Sequence, residues 1–309
     1  MDKIYDCIII GSGPAGYSSA IYIARADLNH ILYTGNKPGG QLIETNEIEN
    51  YPGFPKGIKG YILMKKLQKQ AERFGSKIKF NSVKDINFYK KKTHEIILDN
   101  NEKFKTKTII IATGASPKYL DIDNEKSLIG HGISTCATCD GFFYKKTNVA
   151  IIGGGDKALE EAIYLSKICN KIYIIIRKNK IKASKILENK ILQINNIKLL
   201  FNNEVKKIIG LKTLEYLLCK NNLSNEEKKI NVKAIFLAIG NKPNTNLVKK
   251  KLYLDYNGYI ITKKGSTKTN IPGVFAAGDV QDPIYRQAIT SAGTGCMAAI
   301  DVEKYLTLF

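Results

Sequence analysis

The sequence predicts an α/β protein of two dinucleotide-binding, Rossmann-like domains, the second inserted into the first. Three observations carry this prediction. The apolar run Ile4 to Ile10 leads into Gly11-Ser12-Gly13-Pro14-Ala15-Gly16. The apolar run Val149 to Ile152 leads into Gly153-Gly154-Gly155-Asp156-Lys157-Ala158. Two more apolar runs, Thr108 to Ala112 and Ala234 to Ile239, close on glycine with proline a few residues on, and they bracket the second glycine turn. A strand, a glycine-rich turn and a helix in that order form the βαβ unit that holds a dinucleotide.

In chain order, Ile4 to Ile10 reads as a buried parallel strand, because the run is short and nearly continuous in apolar residues. Tyr17 to Ala26 then reads as a helix rich in alanine and isoleucine, and Ile31 to Tyr33 as the next strand. The pattern recurs with a strand at Val149 to Ile152, a helix at Ala158 to Lys167 and a strand at Ile172 to Ile176. Between the two units, Thr113-Gly114-Ala115-Ser116-Pro117 and Gly240-Asn241-Lys242-Pro243 each pair glycine with proline, which suits a stiff two-stranded connection with a hinge. The first domain is therefore assigned residues 1–115 and 244–309, and the inserted one residues 116–243. Near the C-terminus, Gly273 to Asp279 reads as a strand ending in Gly-Asp. Tyr285-Arg286-Gln287-Ala288 opens a helix that runs to Lys304.

The 309 residues suffice for two domains, and the 44% hydrophobic content is that of a globular protein. No apolar run approaches the roughly 18 residues that span a bilayer. The N-terminal apolar stretch, Cys7 to Ile10, is far shorter than a secretory core. A cytoplasmic protein without membrane attachment is expected. In that compartment cysteines stay reduced, so a close pair is catalytic or metal-binding rather than structural. The formal charge of +20 invites a nucleic-acid reading. Against it, only Arg25, Arg73, Arg177 and Arg286 are arginine, and the lysines are scattered through many segments, as in a solvated surface. No nucleic-acid partner is expected.

Each glycine in the first turn has a distinct physical reason. Gly11 makes the tight turn, Gly13 lets the backbone approach a pyrophosphate, and Gly16 lets helix and strand pack closely. The phosphate sits at the helix N-terminus, where free N–H groups and the dipole favour an anion. No acidic residue ends the second strand; Thr34-Gly35 stands there. The second turn ends in Ala158, which the fingerprint permits. After its second strand come Arg177, Lys178 and Lys182, where an acid would select NAD through the ribose hydroxyls. Basic residues there suit the 2′-phosphate of NADP.

Cys136-Ala137-Thr138-Cys139, followed by Asp140, has three readings. Zinc needs four ligands, and the chain has no second Cys-X-X-Cys and only three histidines, His30, His94 and His131. Two inert buried thiols are a second reading. The third, a redox disulfide, is favoured by the adjacent acid, because a leaving thiolate must be protonated and an attacking thiol deprotonated. No bound metal is expected. Cys7, Cys169, Cys219 and Cys296 stand singly in apolar or helical contexts and read as small core residues.

Taken together, these motifs resemble the low-molecular-weight thioredoxin reductases of the bacterial type. The matching residues are Gly11 to Gly16, Gly39-Gly40-Gln41, Glu49 to Gly53, Ala112 to Ala115, Cys136 to Phe143, Gly153 to Gly155 with Glu160-Glu161-Ala162, and Gly273 to Asp279 with Tyr285 to Met297. They run through nearly the whole chain in the family's order. The resemblance implies a homodimeric FAD enzyme passing electrons from NADPH through flavin and the cysteine pair to thioredoxin, with the NADPH domain inserted into the FAD domain.

By the same resemblance, FAD is held by Gly11, Ser12, Gly13, Pro14, Ala15 and Gly16, and by the loop Thr34, Gly35, Asn36, Lys37, Pro38, Gly39, Gly40 and Gln41. Asn50, Gly114, Asp279, Val280, Arg286, Gln287 and Ala288 complete that set, with Asp279 on the ribitol chain. NADPH falls to Gly153, Gly154, Gly155, Asp156, Arg177, Lys178 and Lys182. Cys139 faces the flavin, Cys136 attacks thioredoxin, and Asp140 is the acid–base group. The family's NADPH domain rotates between two states, about a hinge that here falls at Gly114 and Gly240.

The rival readings are a same-fold flavin reductase for another disulfide or protein acceptor, and a non-catalytic basic binding protein, which would be colourless. One departure has a measurable consequence. The family's His-Arg-Arg-x-x-x-Arg loop is here Ile176-Arg177-Lys178-x-x-x-Lys182. Lysine neutralises a 2′-phosphate but lacks the planar fork of arginine. The loss of a bidentate contact costs about 1 kcal/mol, which weakens discrimination against NADH without abolishing it. Steady-state kcat/KM with each nucleotide is expected to favour NADPH, and equal values would refute the assignment.

Overall fold

The computed structural model describes residues 4–45, 47–89 and 93–308. The chain opens with β1 (Ile4–Ile10), α1 (Pro14–Arg25), β2 (His30–Tyr33), α2 (Gly60–Arg73) and β3 (Lys77–Lys79). It continues through β4 (Val83–Asn87), β5 (His94–Leu98), β6 (Lys103–Ile111) and β7 (Ala115–Pro117). Then follow β8 (Ile133–Ser134), the short α3 (Ala137–Asp140), β9 (Asn148–Ile152), α4 (Asp156–Ser166), β10 (Lys171–Ile176) and α5 (Lys185–Leu192). The remainder is β11 (Ile197–Phe201), β12 (Asn203–Ile209), β13 (Tyr216–Asn221), β14 (Glu227–Ile230), β15 (Ala234–Leu237), β16 (Asn241–Pro243), β17 (Val274–Ala276) and α6 (Ala288–Leu306).

Two compact units result. The first comprises residues 1–116 and 242–309, and the second Pro117–Asn241. The two connecting segments, β7 and β16, pair with each other as a two-stranded ribbon.

The first unit is built on a seven-stranded sheet ordered β3-β2-β1-β6-β5-β4, with β17 also pairing with β6. Strand β6 changes character along its length. Its end, Ile109–Ile111, is buried between β1 and β17, both parallel to it. Its start carries exposed lysines and pairs antiparallel with β5. The continuous apolar stretch thus marks the strand covered on both faces, and the Lys-rich alternation marks the wet extension. Helices α1 and α6 cover one face. At Gly295 they meet backbone to backbone, because a Cβ there would lie 2.2 Å from Ala15 O. The Ser19 hydroxyl lies in the same seam, 2.8 Å from Ala15 O and 2.9 Å from Gly295 O.

The second unit holds a five-stranded, all-parallel sheet ordered β11-β10-β9-β15-β8. A separate antiparallel sheet, β12-β13-β14, packs its apolar residues Val205, Ile208, Leu217, Cys219 and Ile230 into the same core as Ala150, Ile175 and Ile235. Residue patterns do not mark the strands of this antiparallel sheet or of the β4–β5 hairpin. Lysines interrupt their alternation, so the period-2 signal is weak.

Three helix starts differ from expectation, and one of them by a short step: α4 begins at Asp156 rather than Ala158. Helix α1 begins at Pro14 rather than Tyr17, since proline at the first helical position costs no hydrogen bond there. Helix α6 begins at Ala288, so Tyr285, Arg286 and Gln287 lie before it. Gln287 is its N-cap, in a reciprocal capping box with Thr290, and Arg286 has φ +48°. A helix cannot run through a left-handed residue, so the chain enters α6 by a sharp turn at Arg286.

Substitution of Gly295 by alanine is expected to push α6 away from α1. The cost is about 1–3 kcal/mol, the usual range for overpacking a close seam. A thermal unfolding midpoint equal to that of the unmodified protein would show that the helices can separate freely.

Candidate functional site

Three groups of sequence-predicted residues come together locally, one in the first unit and two in the second. In the first unit, Gly11 has φ +112°, and a Cβ there would lie 2.2 Å from Ala112 O. A Cβ on Gly16 would lie 2.0 Å from Gly11 O. Beside these crowded positions, a Cβ on Gly13 would meet nothing within 4 Å. Gly13 is also the N-cap of α1 and offers no side chain to its amides. An open backbone surface with bare N–H groups is what an anion needs.

The loop after β2 is folded back over this turn. The buried Ser12 hydroxyl donates to Thr34 O (3.2 Å) and accepts from Gly39 N–H (3.0 Å). Gly40 approaches so closely that its Cβ would stand 3.5 Å from Gly13 Cα. Two side chains of this loop have partners of their own. Lys37 is paired with Glu44, and Asn36 accepts from the Ser82 hydroxyl at 2.6 Å.

The C-terminal segment meets the same turn. A Cβ on Gly278 would come within 2.9 Å of Ala15 Cβ, which places Asp279 and the buried Val280 beside the start of α1. Asp279 accepts from the Ser291 hydroxyl (2.8 Å). Burial nonetheless pushes its carboxyl above the usual range, while Ser291 and the Arg286 charge pull it down. Arg286 also hydrogen-bonds the Tyr259 side chain. Asn50 donates to Gln287 Oε1 (3.2 Å), tying residue 50 to the entry of α6 just before Ala288. Gly114, φ +70°, accepts instead from Asn244 N–H on the returning segment (2.9 Å).

In the second unit, Gly153 has φ +144°, and a Cβ would lie 2.6 Å from Ala238 O. A Cβ on Gly154 would meet Ile176 at 3.0 Å, while Gly155, the N-cap of α4, opens onto free space. The basic loop closes over this turn: Lys182 N–H donates to Gly154 O (2.7 Å), and Ser184 N–H to the Asp156 carboxylate (2.8 Å). Arg177, Lys178 and Lys182 are exposed, and none forms an ion pair among the described residues. Cationic side chains thus stand free beside an open helix N-terminus.

The cysteine pair also lies in the second unit. Cys136 and Cys139 are joined in a disulfide with Cα atoms 5.3 Å apart, an ordinary separation for such a bond. The bond leaves neither sulfur as a thiolate ligand. Cys136 is the N-cap of α3, and Ala137 behind it is fully buried. Gly141 lets the turn pack on α4, since a Cβ there would reach Leu165 at 2.7 Å. Asp140 is half-buried; desolvation raises its pKa, and a 2.6 Å hydrogen bond from the Ser134 hydroxyl opposes that rise. On the solvent side Phe142 and Phe143 are 59% and 45% exposed.

Three of the remaining cysteines are electrostatically silenced. Burial pushes the thiols of Cys7 and Cys219 up to about 12 and that of Cys169 up to about 11. Thiolate is the nucleophile, so these groups are unreactive at neutral pH.

The pyridine nucleotide-disulphide oxidoreductase family model matches residues 5–295. The chain is 49% identical over 307 residues to the thioredoxin reductase of Buchnera aphidicola subsp. Baizongia pistaciae, covering 97% of this chain and 94% of that one. It is 45% identical to the thioredoxin reductase of Rickettsia typhi, covering 97% of each. The solved thioredoxin reductase of Streptococcus pyogenes superposes with a TM-score of 0.94 at 34% identity, over the whole of both chains. The chain belongs to the thioredoxin reductases of this family.

Members of that family are flavin and pyridine-nucleotide enzymes, and the two open glycine turns here suit two such cofactors. Several residues near the cysteine pair were not singled out in the sequence. Ser134 stands two residues before Cys136 and carries no motif. Lys157 sits inside the second glycine motif, and its ammonium reaches Thr135 O (3.2 Å) and lies 3.6 Å from Glu161. One more lysine in so lysine-rich a chain gave no signal. Phe142 and Phe143 belong to the matching stretch Cys136 to Phe143, but their exposure is visible only in the structure.

In dithiol-reduced, folded protein, brief treatment with iodoacetamide is expected to label the Cys136–Cys139 pair first. Cys7, Cys169 and Cys219 should stay unmodified. Peptide mass mapping reads the order, and early labelling of any of those three would contradict their burial.

Proposed function

We propose that this chain is an NADPH-dependent thioredoxin-disulfide reductase in which Cys136, Cys139 and Asp140 form the redox centre. The observation that carries the reading is a disulfide at the start of a short helix beside a half-buried, hydrogen-bonded carboxyl, in the same unit as an open glycine turn with free basic side chains.

The residues of the first unit fit FAD. The uncapped N–H groups of Gly13, Ala15 and Gly16 and the loop from Thr34 to Gln41 suit the pyrophosphate and the adenosine half, and the half-buried Asp279 accepts from a hydroxyl, as a ribitol chain requires. Gly153 to Gly155 suit the pyrophosphate of NADPH, and Arg177, Lys178 and Lys182 its 2′-phosphate. Bound FAD supplies a two-electron carrier between a hydride donor and a disulfide.

The protein's own part of the reaction is thiol–disulfide exchange. In the reduced centre the Cys136 thiolate attacks one sulfur of the thioredoxin disulfide. A mixed disulfide forms, the thioredoxin S–S bond breaks, and its electron pair leaves on the second thioredoxin sulfur. Asp140 supplies the proton that this leaving thiolate takes up. Cys139 then gives up its proton and attacks the Cys136 sulfur. The mixed disulfide breaks, and its electron pair leaves on the first thioredoxin sulfur, which takes up a proton equivalent to the one Cys139 lost. The Cys136–Cys139 bond re-forms, and dithiol thioredoxin is released. A carboxyl has its proton more readily available for a thiolate the higher its pKa lies above the usual carboxylate range, and desolvation raises that of Asp140.

A homodimer is proposed on the exposed stripe of α6, Ile289, Met297 and Ile300, with Tyr22 of α1 beside it. No helix among the described residues is long and apolar enough to cross a membrane. Cytoplasmic residence and the absence of a nucleic-acid partner are part of the same proposal.

The deciding assay is NADPH oxidation by the yellow protein with and without oxidised thioredoxin. Thioredoxin-dependent oxidation is expected. Cys136→Ser is expected to lose it by at least about a thousandfold, on the scale of removing a catalytic nucleophile, while NADPH still bleaches the flavin. Bleaching without any response to thioredoxin in the unmodified enzyme would point to another acceptor.

A further inference from the structure

Ser134 ends β8, where Phe236 of β15 pairs with it, and it is buried. Its hydroxyl oxygen accepts the backbone N–H of Cys136 (3.0 Å). Its single proton faces two acceptors, Asp140 Oδ2 at 2.6 Å and Cys136 O at 3.2 Å. The serine thus touches both the backbone of one cysteine and the carboxyl beside the pair.

We propose that Ser134 is the positioning residue of the redox centre, a two-position hydroxyl that follows the protonation state of Asp140. When Asp140 is ionised, Ser134 donates to Oδ2. When Asp140 is protonated, its own O–H donates to Ser134 Oγ, and the serine proton turns to the Cys136 carbonyl. Every polar group keeps a partner in both states, because a hydroxyl has one donor and two lone pairs. The proton that Asp140 gives to a departing thiolate therefore leaves no buried group unsatisfied, and the new carboxylate is met at once by a donor already in place.

The other groups around Asp140 do not serve this purpose. The Tyr144 hydroxyl, which shares its environment, is engaged by the Gly132 backbone. On α4, which packs on α3, Lys157 reaches Thr135 O and Glu161, while Asp156 and Glu160 are exposed. Lys145 lies over the Phe142 ring at 5.8 Å. The strands on the other side, β8 and β15, carry no charged side chain. Ser134 is the one group hydrogen-bonded to the Asp140 carboxyl among those named.

The inference rests on the functional reading above, and the test separates the two. The pH dependence of kcat for thioredoxin reduction is measured in the FAD-bound enzyme and in Ser134→Ala, Ser134→Thr, Ser134→Val, Asp140→Asn and the Ser134→Ala/Asp140→Asn double variant. Without its donor the carboxylate is less stable, so the limb that Asp140→Asn abolishes should move upward by about one pH unit in Ser134→Ala. Threonine should restore the limb and the equally shaped valine should not. Ser134→Ala should add no further pH shift once Asp140 is asparagine. If alanine prevents folding, the threonine–valine pair carries the same comparison. A limb that stays in place, or a valine variant matching threonine, overturns the role of Ser134 alone. A wild-type enzyme without thioredoxin-dependent turnover overturns the functional reading and this inference with it.

Discussion

Close approach of backbone to backbone is the constraint on which the rest of this structure depends. At Gly11, Gly16 and Gly153, a single methyl group would overlap a carbonyl oxygen or its carbon. These contacts draw strand and helix together so tightly that the helix N-termini at Gly13 and Gly155 end bare, beside open space. Amides without side-chain caps are costly unless something else accepts from them. The same crowding that fixes the turn therefore creates the place for a pyrophosphate. Gly295 extends the rule to the seam of α1 and α6, so the helix entering at Gln287 can lie directly on the helix that begins at Pro14.

A second pattern recurs in both units. Asp279 and Asp140 are half-buried carboxyls, each raised by desolvation and each held by a serine hydroxyl, Ser291 and Ser134. The balance between burial and one donor leaves each group able to act as hydrogen-bond acceptor or proton donor according to its neighbour. The cysteines are sorted by the same physics. Cys7, Cys169 and Cys219 lie deep in apolar clusters, where the thiolate is suppressed, whereas Cys136 and Cys139 stand at a helix start beside polar groups. The many lysines take little part in this and mostly remain in water.

Much of the fold could be read from residue patterns. Strands β1, β9 and β10 are short runs buried on both faces, and such runs stand out because their apolar stretches are nearly unbroken. The glycine turns stand out because Gly11, Gly16 and Gly153 leave no room for a side chain. Strands β12 to β14 and the β4–β5 hairpin did not stand out, since lysine stems can cover apolar surface while their charges reach water, which blurs alternation. The start of α6 was misplaced by three residues because the left-handed turn at Arg286 has no composition signal.

The sequence by itself determined the order of strand, glycine turn and helix in the two βαβ units, the pairing of two nearby cysteines with an acid, and the basic loop after β10. These are properties of residues close together in the chain, where spacing and chemistry suffice. Only the tertiary structure decided that Asn50 meets Gln287, that Gly278 brings Asp279 to the start of α1, and that Gly40 lies over Gly13. It also decided which of six cysteines are silenced and how far Asp140 is desolvated. Burial and long-range contact are set by packing among distant segments, and no local pattern carries them.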